Sequence, residues 1–160
     1  MNIPQRKWVV LFDGVCGLCN RTVDWLMSRD KRGLLCFAPL QGITAQGVCS
    51  RHKIIALEGP SEAGTTSPTE AQRVSKNPGT LVLVKNLGAE REKIYTRSGA
   101  AIRAIALTGG IRRLTLAALV VPWFMRDWFY NFVARRRYKW FGALDACRLP
   151  KPGEREKFLD

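Results

Sequence analysis

The sequence predicts an α/β fold in which a βαβ unit is followed by a β-hairpin and C-terminal helices. Two apolar runs of strand length, residues 8–12 and 34–38, flank a segment with helical spacing. Two later runs, residues 80–85 and 92–96, are separated by a turn-forming segment, which predicts an antiparallel hairpin. A chain of 160 residues has the length of one domain, so we expect a single domain over residues 1–160.

The first strand leads through a turn into a helix. Residues 8–12 are rich in β-branched and aromatic side chains, which is typical of a buried strand. The turn dipeptide Asp13-Gly14 ends this strand. From Cys19 onward, apolar residues recur at helical spacing: Val23, Leu26 and Met27. A strand-to-helix transition is therefore predicted directly around residues 13–19.

The second strand, residues 34–38, ends at Pro39, and the strand–helix–strand order predicts parallel pairing. Residues 41–58 give an ambiguous pattern of weak helical or extended pieces. Residues 59–78 contain Gly, Pro, Ser, Thr and Glu with few large apolar residues, which predicts a mobile surface loop. After the hairpin, Ser98 is the expected N-cap of a helix that stops at Gly109-Gly110.

From about residue 111 the chain is predicted to be helical, aromatic and basic. Helices are expected over residues 112–121, up to Pro122, and over about 123–138. In the second helix one stripe carries the apolar residues Phe124, Trp128, Phe132 and Val133. Such a stripe favours packing in the core, and contact with a membrane surface is the alternative. The apolar run is about 12 residues long, too short to span a bilayer.

The net charge is +13, and residues 97–160 carry 13 Lys and Arg against 5 Asp and Glu. This balance suits an acidic partner, an anionic membrane surface or nucleic acid, although no specific nucleic-acid motif accompanies it. The five cysteines cannot all form disulfides within the chain. No signal peptide precedes the first strand, so we expect a reducing, cytoplasmic setting.

The pair Cys16-Gly17-Leu18-Cys19 lies where the first helix should begin, and this position favours a redox dithiol. Free N–H groups and the helix dipole stabilise a thiolate there. Cys16, at or before the first helical residue, is expected to be the more exposed and more acidic thiol, and to attack a substrate disulfide. Cys19 would resolve the mixed disulfide, and no cofactor is needed beyond this pair.

Asp13, three residues before Cys16, is the third candidate catalytic residue. As a turn former or helix cap it would have a structural role, which is the favoured interpretation. Close to the thiols, it would instead move protons during disulfide exchange.

The other cysteines allow a zinc alternative. Cys49-x-x-His52 and the Cys16–Cys19 pair together make a Cys₃His set with plausible zinc spacing. Against zinc, the first pair opens a helix behind a buried strand rather than lying in a turn. Cys36, inside an apolar strand, is expected to be an inert core thiol. Cys147 is either a third redox thiol or simply buried.

These residues together resemble the DCC family of thiol–disulfide oxidoreductases, named for its Asp, Cys, Cys signature. The matching segments are Asp13–Cys19, Trp25-Leu26, Arg29-Asp30, Phe37–Gln41, Tyr95–Ala100, Pro122, Arg126-Asp127, Tyr130, Ala134–Tyr138, Trp140–Gly142 and Cys147. The resemblance covers nearly all of the chain except residues 59–78, and it implies a thioredoxin-like fold and disulfide exchange without a defined substrate. Thioredoxin-like folds place a cis-proline just before the third strand, and Pro78 here stands one residue further away.

The sequence thus favours a thiol–disulfide oxidoreductase that acts on a disulfide-containing protein or a small thiol and is recycled by an external reductant. One alternative is a zinc-stabilised binding module that uses Cys16, Cys19, Cys49 and His52. The other is a basic accessory protein that docks on a membrane or on nucleic acid.

Overall fold

The computed structural model describes residues 8–52, 81–89, 91–144, 150 and 153–159. Within these residues the elements, in chain order, are β1 (Trp8–Phe12), α1 (Gly17–Arg29), β2 (Leu35–Pro39), α2 (Ile43–His52), β3 (Val82–Lys85), β4 (Lys93–Thr96), α3 (Arg97–Leu107), a 3₁₀ segment (Gly110–Val120), α4 (Trp123–Phe141) and a final 3₁₀ turn (Arg155–Lys157). The predicted loop at residues 59–78, Pro78 and Cys147 all lie outside the described residues.

The four strands form one mixed sheet in the order β2-β1-β3-β4. Strand β1 pairs in parallel with β2 and antiparallel with β3, which in turn pairs antiparallel with β4. Parallel pairing of β1 and β2 requires a crossover connection, and α1 supplies it. The βαβ unit followed by a hairpin and a helix is confirmed, and this topology is that of a thioredoxin-like fold.

Helices cover both faces of the sheet. Side chains on successive residues of a strand point to opposite faces, so each strand contributes to two apolar clusters. One cluster joins the sheet to α1 and α3: Val10, Phe12, Val23, Leu26, Leu35, Phe37, Leu83, Ala100 and Ala104. The other joins it to α2: Val9, Leu11, Cys36, Ala38, Leu40, Ala45, Val48, Val82 and Val84. Strand β1 lies between β2 and β3 in the middle of the sheet. The residue that follows it, Asp13, is therefore buried.

The prediction that Ser98 caps its helix is wrong. Helix α3 follows β4 without a loop, so Thr96 is the N-cap and Ser98 lies inside the first turn. Ser98 is buried, and its hydroxyl donates a hydrogen bond to Asp127 Oδ1 of α4 at 2.5 Å. The predicted stop is confirmed: the helix ends before Gly109 and Gly110, whose φ angles of 82° and 64° lie in the left-handed region.

The prediction that the aromatic stripe of α4 packs in the core is also wrong. Phe124 is 57% exposed and Trp128 is 70% exposed. The buried residues of the helix are Ala134 and Arg137. These two residues and Tyr130 lie on the side of α4 that packs against α1 and α3. Aromatic residues occur all around this helix, so their spacing does not show which side faces inward. The segment predicted to be a helix over residues 112–121 forms the 3₁₀ segment instead.

Candidate redox site

Cys16 is the N-cap residue of α1, with an extended backbone (φ −90°, ψ 119°), and Cys19 lies in the first helical turn. The backbone N–H of Asn20 closes this turn by donating to the Cys16 carbonyl at 3.0 Å. The Asn20 side-chain amide also donates to the Gly14 carbonyl at 2.9 Å. Cys16 thus lies directly before the helix, as its position in the sequence predicts, and the Asn20 side chain holds the preceding turn in shape.

The two thiols differ in acidity. A hydrogen bond from the Cys19 thiol lowers the pKa of Cys16 to about 6, with further help from the Cys19 backbone N–H and the Arg137 charge, against the opposing effects of burial and Asp13. The same hydrogen bond, together with burial, raises the pKa of Cys19. Cys16 is therefore the thiol that ionises near neutral pH, and this order of acidity agrees with the expectation from its position at the helix start.

The expectation that Cys16 is the more exposed thiol is wrong. Cys16 is 0% exposed, whereas Cys19 is partly exposed. Residues 142–144, here named the cover segment, pass directly over Cys16, and Cys16 pairs with Ala143 as an isolated antiparallel bridge. On either side of this bridge, Gly17 N–H donates to Gly142 O at 3.2 Å and Leu144 N–H donates to Val15 O at 2.8 Å.

Gly17 permits this close approach. A Cβ atom at residue 17 would lie 2.3 Å from the carbonyl oxygen of Phe141, which is far inside van der Waals contact. A side chain here would therefore force the end of α4 and the cover segment away from the Cys16 turn. No residue near Gly17 in the sequence indicates this requirement, because Phe141 comes from a distant part of the chain.

Asp13 and Arg137 form a buried ion pair beside the dithiol. Asp13 is 2% exposed and Arg137 is 3% exposed. Arg137 Nη2 donates to Asp13 Oδ2 at 2.7 Å, while Arg137 Nη1 lies 3.6 Å from Cys19 Sγ. The hydroxyl of Tyr138 also donates to Asp13 Oδ2, and it accepts from Arg137 Nη2 at 3.0 Å. A cation thus lies against Cys19, held in place by a carboxylate from the end of β1.

The second oxygen of Asp13 binds the turn. Asp13 Oδ1 accepts from Val15 N–H at 3.3 Å and from Gln41 Nε2 at 3.1 Å. Gln41 in turn accepts from Gly14 N–H at 3.3 Å. The turn-forming interpretation of Asp13 therefore agrees with the structure, but the N–H group that Asp13 binds precedes the helix, so it does not act as the helix cap.

Burial raises the pKa of the Tyr138 hydroxyl, and its hydrogen bond to Asp13 and the charge of that carboxylate raise it further. Tyr138 is therefore a hydrogen-bond donor at neutral pH. Arg137, Tyr138 and Gln41 join the site without a sequence motif that predicts it. They lie 124, 125 and 28 positions from Asp13 in the sequence. Arg137 differs from the basic residues around it because it lies on the buried side of α4, and the sequence does not show which side that is.

The structure does not bring together the four residues of the zinc alternative. Cys49 packs against the apolar cluster under α2, and burial raises its pKa. His52 Nε2 lies 2.8 Å from Glu92 Oε1, on the surface. Among the described residues, no group of three or more His, Cys, Asp or Glu side chains is placed to hold a metal ion. Cys36 is buried in β2, as expected.

The family assignment rests on comparison with known proteins. The sequence model of the DCC1-like thiol-disulfide oxidoreductase family matches residues 10–143. The chain belongs to this family. The uncharacterized protein YuxK of Bacillus subtilis (strain 168) is 35% identical over 157 residues, which cover 98% of this chain and 96% of the relative.

A plant relative is the chloroplastic DCC family protein At1g52590 of Arabidopsis thaliana. It is 29% identical over 146 residues, which cover 91% of this chain and 71% of the relative. No solved structure matches the chain with significance. In the part of the chain that the structure describes, no helix is both long and apolar enough to span a membrane.

The acidity of Cys16 can be measured in the reduced protein. The thiolate absorbance at 240 nm should rise with a midpoint near pH 6, because Cys19 and Arg137 stabilise the ionised form of Cys16. A Cys16→Ser variant should lose this transition, while Cys49→Ser should keep it. A single transition near pH 9 in the native protein would contradict the role of the hydrogen bond from Cys19.

The accessibility of Cys16 should depend on the cover segment. Leu144→Pro removes the N–H group that bonds to Val15 O and suits an extended neighbour at Ala143. Losing one hydrogen bond of about 1 kcal/mol should raise the alkylation rate of Cys16 by iodoacetamide roughly fivefold at fixed pH. Leu144→Ala, which keeps the N–H group, is the matched control. Equal rates for the two variants would show that the cover does not limit access.

Proposed function

We propose that this protein exchanges disulfides with a disulfide-containing protein or small-molecule substrate through Cys16 and Cys19. The observation that carries this proposal is the arrangement of the pair: an acidic thiol at a helix start, hydrogen-bonded to a second thiol that a buried arginine contacts. The family to which the chain belongs supports the same class of chemistry.

In the reducing direction, the Cys16 thiolate attacks one sulfur of the substrate disulfide. The other substrate sulfur leaves as a thiolate and takes a proton from solvent. Cys19 then loses its proton and attacks the Cys16 sulfur of the mixed disulfide, which releases the second substrate thiolate. The protein is left with a Cys16–Cys19 disulfide, the substrate has gained two electrons, and an external dithiol returns the pair to its reduced form.

Arg137 assists both steps as a positive charge beside the pair. Its charge acts to lower the pKa of Cys16, and it opposes the rise in the pKa of Cys19 that burial and the hydrogen bond to Cys16 cause. It therefore favours the Cys16 thiolate before attack and the Cys19 thiolate during resolution. The Asp13 carboxylate accepts four hydrogen bonds, and all four donors are nitrogen or hydroxyl groups rather than thiols. These contacts favour a positioning role for Asp13, which holds Arg137 in place, over direct proton transfer.

The cover segment means that substrate reaches Cys16 only when residues 142–144 move. The cover segment contacts the Cys16 turn through one bridge and two flanking hydrogen bonds. Because this contact is small, its local opening requires much less free energy than global unfolding. We place the activity in a reducing, cytoplasmic setting, where the oxidised pair would be regenerated as a dithiol.

The decisive experiment combines activity with the reduction potential. Purified protein should accelerate the reduction of insulin by dithiothreitol, and equilibration with glutathione buffers should show one two-electron couple that disappears in Cys16→Ser. Because the site stabilises the Cys16 thiolate, the reduced form is favoured and the couple should be more oxidising than one with unperturbed thiols. Absence of a Cys16–Cys19 disulfide at every buffer ratio would refute the proposal, and one zinc ion per chain lost in Cys49→Ser would favour the binding-module alternative.

A further inference from the structure

The solvent side of α4 carries a continuous apolar surface. Its members share the first half of the helix and are each 38–70% exposed: Trp123, Phe124, Met125, Trp128, Phe129 and Phe132. We name this set the aromatic face. Trp128 stacks on Phe132 with ring centroids 6.0 Å apart, so part of the face is a packed aromatic cluster rather than scattered side chains. The preceding 3₁₀ segment exposes further aliphatic residues, among them Leu114 and Val120. A soluble chain rarely exposes so much apolar surface without a binding role.

A basic group continues the same side of the helix. Arg135, Arg136 and Lys139 are exposed, and each lies seven residues, or two helical turns, after a member of the aromatic face. The Arg136 guanidinium lies 4.0 Å from the centroid of the Phe132 ring. Residues 110–144 contain seven Lys and Arg and a single acidic residue, Asp127. That residue already accepts a hydrogen bond from Ser98.

From these observations we propose that the aromatic face docks on an anionic membrane surface. Aromatic and aliphatic side chains insert at the boundary between headgroups and acyl chains, where Trp is especially well placed, and neighbouring Arg and Lys bind anionic headgroups. The protein would lie on the membrane without crossing it, with α4 parallel to the surface.

Charge and composition favour this occupant over others. A second copy of the chain would bring the same positive group against itself across a symmetric contact, and a net charge of +13 makes such pairing repulsive. Single-stranded nucleic acid binds where cations follow the backbone between stacking rings. Here the exposed cations of α4 lie in its C-terminal half, whereas its N-terminal half carries Met125 and Phe129 and a partly buried Arg126 that donates to the Val121 carbonyl.

Docking would place the redox pair close to the membrane. The side of α4 opposite Trp128 and Phe132 carries Arg137, which contacts Asp13 and Cys19. Since a helix with its side chains is about 10–12 Å across, the dithiol would lie roughly one helix diameter from the bilayer surface.

The proposal can be tested by sedimentation of the full chain with lipid vesicles. The protein should bind vesicles of 30% phosphatidylglycerol in phosphatidylcholine much more tightly than pure phosphatidylcholine, and bromine-labelled acyl chains should quench tryptophan fluorescence. Arg135→Gln/Arg136→Gln/Lys139→Gln should weaken binding on the order of 100-fold, since each cation near an anionic surface contributes about fivefold. The control Arg29→Gln/Lys31→Gln/Arg32→Gln removes the same charge from exposed positions elsewhere and should weaken binding much less.

The apolar part needs a separate variant. Trp128→Ser/Phe129→Ser should reduce fluorescence quenching and weaken vesicle binding, while insulin reduction without vesicles stays unchanged and reports intact folding. Equal losses in the two triple variants, or no binding to either vesicle type, would overturn the proposal. So would a dimer in solution that Trp128→Ser/Phe129→Ser dissociates, or tight binding of single-stranded DNA that is lost in the same variant.

Discussion

Replacing Cys16 with serine should abolish catalysed insulin reduction, because a serine hydroxyl is not ionised at neutral pH and cannot form a mixed disulfide. Replacing Cys19 with serine should have a different result. Attack by Cys16 persists in that variant, but the intramolecular thiol that releases the substrate is missing. Mixed disulfides between Cys16 and the substrate should accumulate, and they should be visible by mass spectrometry as adducts that dithiothreitol removes.

Cys49→Ser is the matched control for both variants, since Cys49 packs under α2 and away from the dithiol. It should turn over insulin at the wild-type rate. A Cys19→Ser variant that keeps full turnover and traps no adduct would refute the dithiol mechanism, and adducts found on Cys19 in Cys16→Ser would reverse the roles of the two thiols.

Arg137→Met should destabilise the protein by roughly 3–5 kcal/mol, because it leaves the buried Asp13 carboxylate without its cation. Asp13→Asn should also be strongly destabilising, since it leaves the Arg137 charge without its carboxylate. The double variant should recover much of the loss, because neither charge then remains buried alone. Urea unfolding of the four proteins measures the coupling directly.

A matched control distinguishes the effect of losing the buried ion pair from the effect of losing a positive charge. Arg135→Met removes an exposed arginine from the same helix and should change stability by no more than about 0.5 kcal/mol. The redox role has its own readout: where Arg137→Met is folded, the 240 nm transition of Cys16 should move to higher pH, since the Arg137 charge helps to lower its pKa. An unchanged midpoint would restrict Arg137 to a structural role, and strictly additive losses in the double variant would contradict the ion pair.

The pH dependence of thiol reactivity follows from the same geometry. Below about pH 6 the Cys16 thiol is protonated and alkylation is slow, and above it the thiolate predominates. The rate should therefore rise through that midpoint and then level off, instead of rising through the ordinary thiol value near 9.

The elements with strong local signals could be predicted from the sequence. Residues 8–12 form a continuous apolar run of β-branched, aromatic and Leu side chains, which predicts the first strand. The Asp13-Gly14 turn and the apolar spacing after Cys19 predict the strand-to-helix transition that carries the thiols. The hairpin of β3 and β4 and the stop at Gly109-Gly110 were likewise local, because turn chemistry and left-handed glycines act within a few residues.

The surroundings of the thiols, in contrast, depend on packing between distant parts of the chain. Arg137, Tyr138 and the cover segment reach the site from more than 120 residues away, and nothing near Cys16 in the sequence indicates that it is buried. The direction in which α4 faces is also set by tertiary packing. A helix that is aromatic all around has no periodic signal for its inward face, and the packing of Ala134 and Arg137 against the core sets that direction. Local patterns thus gave the position of the dithiol, whereas long-range packing gave its charge partner, its cover and the surface that α4 leaves open to solvent.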